Sequence, residues 1–129
     1  MSRENVEIVR RWLEAFENDE TVLRALTHPA IEWAPFEDNH TISHGLVGAM
    51  RIRVAWLEAW AEHRLEVEHM LDGGDDVVAT VHLVGRGRGS GVEVDVRLYG
   101  HVKVKDGKVA YVYEHEHRAD AVTAAGLAE

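Results

Sequence analysis

Between residues 91 and 117 the sequence GVEVDVRLYGHVKVKDGKVAYVYEHEH alternates apolar and polar side chains on both sides of an Asp-Gly pair, a pattern few folds accommodate. Val92, Val94, Val96, Leu98, Val102 and Val104 alternate with Glu93, Asp95, Arg97, Tyr99, Lys103 and Lys105, which is the period of a strand with one buried face. Asp106-Gly107 turns the chain back, so the stretch reads as one long antiparallel hairpin. The turn decides which residues of the return strand are buried. A two-residue loop pairs Val104 with Val109 and aims Tyr111, Tyr113 and His115 inward. A three-residue loop that takes in Lys105 pairs Val104 with Lys108 and aims Val112, Glu114 and Glu116 inward instead. A slip of one residue exchanges every side chain between the faces, and hydrophobicity by itself favours the shorter loop.

Upstream of the hairpin the periodicity is helical, then extended. Ser2 is placed to cap a first helix with Val6, Val9, Leu13 and Phe16 on one stripe and Trp12 beside it, and Asn18-Asp19 ends it. Residues 21–27, with Val22, Leu23 and Leu26 apolar, form a short second helix that His28-Pro29 stops. Residues 31–35 are a short strand around Trp33, followed by an irregular polar loop, 36–44. Gly45 opens a third helix to about residue 62, with Leu46, Met50, Val54, Leu57 and Ala61 as its inner stripe and Trp56 and Trp60 flanking it. Strands at 65–71 and 77–84 are joined by Asp72-Gly73-Gly74-Asp75, and the glycine-rich GRGRGSG leads into the hairpin. A closing helix spans 118–125, with Gly126 left-handed beyond it and Leu127 folding back. Helices first and an antiparallel meander after them predict one α+β domain over 1–129, its helices packed on one face of a curved sheet.

Composition excludes several classes of function. A chain of 129 residues can build a single core without staples, and 46% hydrophobic with 29% charged residues is ordinary for a globular protein. The net charge of −9 argues against nucleic acid and anionic membrane surfaces as partners. Cysteine is absent, which removes disulfides and thiol chemistry. The start, MSRENVEIVRRWLEAF, is charged and amphipathic, with neither an apolar signal core nor a membrane-spanning run, so cytoplasm is the expected location.

Taken in order and spacing, ENVEIVRRWLEAF, THPAIEW, HGLVGAM, LDGGDDVVATV, GRGRGSGVEVDVRL, KDGKVAYV and RADAVTAAGL resemble the nuclear-transport-factor-two-like superfamily, in its SnoaL-like and ketosteroid-isomerase-like branch. The resemblance covers nearly the whole chain. It implies a cone-shaped α+β barrel of the cystatin-like kind, with three N-terminal helices and a curved antiparallel sheet around a deep pocket. It also implies a homodimer formed through the outer sheet face, a small apolar molecule as ligand, and no cofactor. Relatives similar to limonene-epoxide hydrolase carry a tryptophan, an acid and an aromatic residue two apart on the last strand, facing the cavity. Those positions fall on Val112, Glu114 and Glu116, which favours the three-residue turn and leaves Tyr99, His101, Tyr111, Tyr113 and His115 outside.

Glu114 is then the candidate catalytic residue. A carboxylate in an apolar cone has its charged form disfavoured, which suits a general acid or base near neutral pH; the competing role is a structural carboxylate bonded to a buried donor. Gly100 interrupts the row of buried side chains and opens space beside it. Trp33, Trp56, Leu98 and Val112 are expected as ligand-binding walls, His40 and His44 at the mouth, and Glu116 near the mouth or at the start of a helix. Ketosteroid isomerase uses a tyrosine and two acids, and this chain has Trp33, Trp12 and Phe16 at the corresponding places. Limonene-epoxide hydrolase needs an arginine and an acid on the 77–84 strand and a tyrosine and an asparagine near Trp33 and Pro35, where this chain offers Ala79, Val81, Leu83, Trp33 and Pro35. Nine histidines raise the question of a metal, but His115 and His117 are expected outside and no metal site is assigned. GRGRGSG lacks the Lys-Ser/Thr of a phosphate loop and is read as a hairpin tip. The expected function is a small-molecule pocket protein for an apolar, cyclic ligand, with acid-base catalysis of the isomerase, cyclase or hydrolase type. The alternative is a noncatalytic dimeric binding or carrier domain.

Overall fold

The stripe on the first helix supplies the roof of the molecule. In the computed structural model, which describes residues 2–36 and 39–127, α1 (Ser2–Asn18) buries Val9, Trp12, Ala15 and Phe16 along one face. The side chain of Ser2, expected as the cap, lies outside the described residues, as do Glu37 and Asp38 of the expected loop. Asp19 caps α2 (Glu20–Leu26) by accepting from the Val22 amide at 3.1 Å. Thr27 then ends that helix and begins β1 (Thr27–Ala34) without a loop. Its buried hydroxyl donates to the Leu23 carbonyl at 2.6 Å and accepts from Trp12 Nε1 at 2.9 Å, which ties strand, helix and roof together.

After β2 (Ser43–His44), α3 (Gly45–Ala59) runs back over the sheet, followed by β3 (Trp60–Gly73), β4 (Asp76–Gly87), β5 (Glu93–Lys105), β6 (Lys108–His115) and α4 (Arg118–Ala124). The six strands lie in the order β2-β1-β6-β5-β4-β3, with β3 to β6 an antiparallel meander. One pair departs from the antiparallel expectation: β1 runs parallel to β6, with Trp33 opposite Val112. Only strands joined by short turns must alternate in direction, and here α3 and four strands intervene. Edge strands β2 and β3 do not pair with each other, so the sheet curves without closing into a barrel.

Irregular register supplies the curvature. Ladder shifts fall at residue 61, at Glu68 and between Lys103 and Val104, and a bulge bends and twists the strand that carries it. The last of these settles the hairpin. Asp106 (φ 55°) and Gly107 (φ 72°) are both left-handed, and Val104 pairs with Val109 across a two-residue turn; the expected three-residue loop is not formed. One step further on, Lys103 pairs with Tyr111, leaving Ala110 as the extra residue, and from there Val102 faces Val112 and Gly100 faces Glu114. The facing expected from the longer turn is therefore reached by a shorter turn plus a bulge.

The third helix also differs from its expected span and face. It stops at Ala59, where Trp60 turns extended and enters β3. Gly48 and Ala49 are its buried residues, and Met50, Ile52 and Trp56 pack on the core, whereas Val54 is 50% exposed. A Cβ at Gly48 would stand 3.1 Å from that of Ser43, so the small residues seat the helix close against β2 and rotate Val54 into solvent. On the other side of the sheet Val78, Ala121 and Val122 are buried where α4 packs on the meander, and Leu127 folds back so far that a Cβ at Gly73 would meet it at 2.5 Å.

Candidate functional site

Between helices and sheet lies a cavity of about 80 Å³. Its roof is Trp12, Leu13 and Phe16 of α1 with Ile52 and Trp56 of α3, and its floor is formed by inward residues of β3 to β5, among them Ala79, Leu98 and Gly100. The end wall is Trp33, Val112 and Glu114, so among the described residues a single carboxylate interrupts an apolar lining. Ring contacts make the roof stiff: Trp12 and Phe16 lie 4.9 and 5.6 Å from Trp33, and Phe16 lies 6.1 Å from Trp56.

Glu114 reaches this wall because the bulge at Ala110 turns it inward and because Gly100, its partner on β5, has no side chain to displace it. A Cβ on Gly100 would have nothing nearer than 3.8 Å, so the glycine leaves room. Trp33 Nε1 donates to Glu114 Oε2 at 2.8 Å, and the Phe36 amide donates to Oε1 at 3.0 Å. The carboxylate thus joins β1, β6 and the loop after β1. Such bonds to a charged acceptor each contribute roughly 1.5–3 kcal/mol.

Six of the expected residues meet in this cavity: Trp33, Trp56, Leu98, Gly100, Val112 and Glu114. Three others do not line it. His40, left-handed at φ 60°, stacks on Tyr113 with ring centres 4.4 Å apart, and its Nε2 meets the Glu114 carbonyl oxygen at 2.6 Å. It clasps the loop to the far side of β6. His44 is exposed on β2 with Nδ1 3.7 Å from Glu32, and Glu116 is exposed between β6 and α4.

The family model for the SnoaL-like domain matches residues 9–112. The chain belongs to the SnoaL-like family. No curated protein matches it. Among solved structures, this SnoaL-like chain is similar to an NTF2-like protein from Burkholderia xenovorans (18% identity, 97% of this chain and 98% of that one, TM-score 0.77). It is also similar to TerC co-crystallised with polyporic acid (16%, 95% and 98%, TM-score 0.75). A third is a protein of ketosteroid isomerase-like fold from Catenulispora acidiphila in complex with trimethylamine (13%, 95% and 94%, TM-score 0.73).

Against Trp56 of the cavity roof lies a polar pair that the sequence reading missed. Glu17 accepts from Trp56 Nε1 at 2.7 Å, and His63 Nε2 bonds the same oxygen. The signal was present in the periodicity, since Glu17 sits one turn after Leu13 on the inner stripe and His63 shares the inward alternation of Leu65 and Val67. Gly85 makes room for His63 and the neighbouring Trp60 ring, because a Cβ there would lie 2.8 Å from the His63 Cβ and 3.0 Å from Trp60 Cε3.

On the opposite face of the sheet, the aromatic row expected outside is largely packed. His101 is 3% exposed and its Nε2 donates to Asp76 Oδ1 at 2.6 Å, while His101 Nδ1 and His115 Nε2 are buried without a hydrogen-bond partner. Burial holds the His115 pKa below 6.5, helped by His101 and His40 and opposed by Asp120. Burial likewise raises Tyr111, with Tyr113 and Glu32 adding to the effect. Among the described residues no group of three or more histidine and acidic side chains is placed to hold a metal ion. In the expected tip, Arg86 bonds Glu62 and Arg88 bonds the Trp60 carbonyl, so both guanidinium groups are engaged within the protein.

Proposed function

We propose that this SnoaL-like chain takes up a small, largely apolar and cyclic molecule in the cone, and that Glu114 acts on it as a general acid-base group. The observation that carries this reading is a carboxylate, fixed by Trp33 and Phe36, in the wall of a cavity whose lining among the described residues is otherwise apolar. A fixed base beside an apolar ligand suits proton removal next to a carbonyl, the step that isomerisations and cyclisations share. Structures of the same fold carry polyporic acid in one crystal and trimethylamine in another, in keeping with a small-molecule role. The test is α-proton exchange of β-tetralone in heavy water, followed by NMR. Wild-type protein speeds the exchange, and Glu114→Gln lowers the rate by roughly 10²-fold or more while tetralone binding persists.

A second reading, a noncatalytic binding or carrier domain, is favoured by the bonds that Trp33 Nε1 and the Phe36 amide donate to Glu114. Binding of β-tetralone with no exchange above background in wild-type protein selects it. In either case the partly exposed Tyr99, Tyr111, Tyr113 and His115 offer a second copy a face on the outer side of the sheet. Sedimentation of a monomer at micromolar concentration counts against that dimer.

A further inference from the structure

A second apolar chamber, of about 260 Å³, lies beside the first and shares Trp56 and Leu98 with it. It is bounded by Phe36, Ala55 and Trp60 on one side and by Leu83, Val94 and Val96 on the other. This is where the alternation of β5 stops being buried: Val96 is 41% exposed and Phe36 36% exposed, although both are large and apolar. An apolar concavity open to water next to a ligand-sized cavity calls for an occupant. The inner cavity alone is well below the roughly 300–1,000 Å³ usual for a small-molecule site, and the two chambers together reach that range.

Trp56 and Leu98 line both chambers, and the Trp56 ring is held. Its N–H is bonded to Glu17, whose oxygen is shared with His63, and Trp60 stands 5.4 Å away at 63°. We infer that the outer chamber is a second ligand subsite for the apolar end of an elongated molecule whose polar end faces Glu114, and that Trp56, latched by Glu17, sets how long a ligand the pocket accepts. From Val94 to Gly100 the strand rises roughly 20 Å, which bounds that length. This rests on the pocket reading above and deepens it.

Para-alkylphenols test it, titrated calorimetrically from para-methylphenol to para-hexylphenol. Affinity rises with each added methylene, by roughly three- to fourfold for those that become fully buried. Ala55→Trp, at an exposed helix position that tolerates bulk, lowers the affinity of the hexyl compound at least tenfold more than that of the methyl one. Glu17→Gln, which weakens the latch, changes the ratio of long to short affinities. Binding of para-methylphenol with no gain on lengthening overturns the second subsite alone. A ratio unaltered in both variants does the same. Failure of every phenol to bind overturns the pocket reading and this one together.

Discussion

Val109 and Val112 are three residues apart on one strand, and both pack in the core, against Val104 and Val102 of the facing strand. On an uninterrupted ladder an odd spacing would put them on opposite faces. Ala110 absorbs the difference, and with it the inward aim of Glu114 is decided.

The turn that feeds this bulge makes the first prediction. Because Asp106 is left-handed, Asp106→Val should cost about 1–2 kcal/mol in urea unfolding, while Asp106→Asn should be neutral or mildly stabilising. Equal stabilities for the two variants would contradict the two-residue turn.

Gly100 provides the second. A Cβ there meets nothing within 3.8 Å, so Gly100→Val should fold, with stability unchanged or raised by about 0.5–1 kcal/mol, and its methyl groups should occupy the cavity beside Glu114. Ligand affinity should fall at least tenfold. Undiminished β-tetralone binding in a folded Gly100→Val protein would place the ligand elsewhere.

The alternation of residues 91–105, the helical stripe of α1 and the strand-turn-strand punctuation by Asp72-Gly73-Gly74-Asp75 and Asp106-Gly107 are local patterns, and the elements they predict are present. What the sequence left open depends on contacts distant along the chain. A bulge at Ala110 has no compositional mark, so both loop lengths were compatible with the pattern. The parallel pairing of Trp33 with Val112 joins residues 79 positions apart, and no local rule encodes it. In the site, Trp33, Trp56, Leu98, Gly100, Val112 and Glu114 were readable from alternation and resemblance. His40 was not, because its ring is committed to Tyr113 by a left-handed loop that no motif announces. Glu17 was passed over because an acid at a helix end is ordinarily solvated, and only the distant Trp56 and His63 give it work.

The bond between Trp33 and Glu114 can be measured by a double-mutant cycle. Trp33→Phe and Glu114→Leu should show a coupling energy of about 1.5–3 kcal/mol, beyond the loss of ring area that Trp33→Phe carries alone. Additive effects would mean that the 2.8 Å contact contributes nothing.

His115 predicts an acid sensitivity. Its folded-state pKa lies below 6.5, so the folded protein keeps it neutral while the unfolded chain takes up a proton near 6.5. Its contribution is complete above that pH and is lost as pH falls from 6.5 through the folded-state value. Unfolding measured from neutral to mildly acidic pH should show a smaller decline for His115→Asn than for wild type. Parallel declines would remove His115 from the account, leaving His101, His40 and Asp120 as the other titratable groups facing this region.

The claim that joins fold and chemistry is that Glu114 meets a molecule seated in the cone, and crystals soaked with β-tetralone test it most directly. The account predicts the ring between Trp33 and Trp56, with the enolisable carbon or the carbonyl oxygen about 3–3.5 Å from a Glu114 oxygen. Tetralone found only on the outer sheet face, or in the cone with neither group within reach of Glu114, would contradict it.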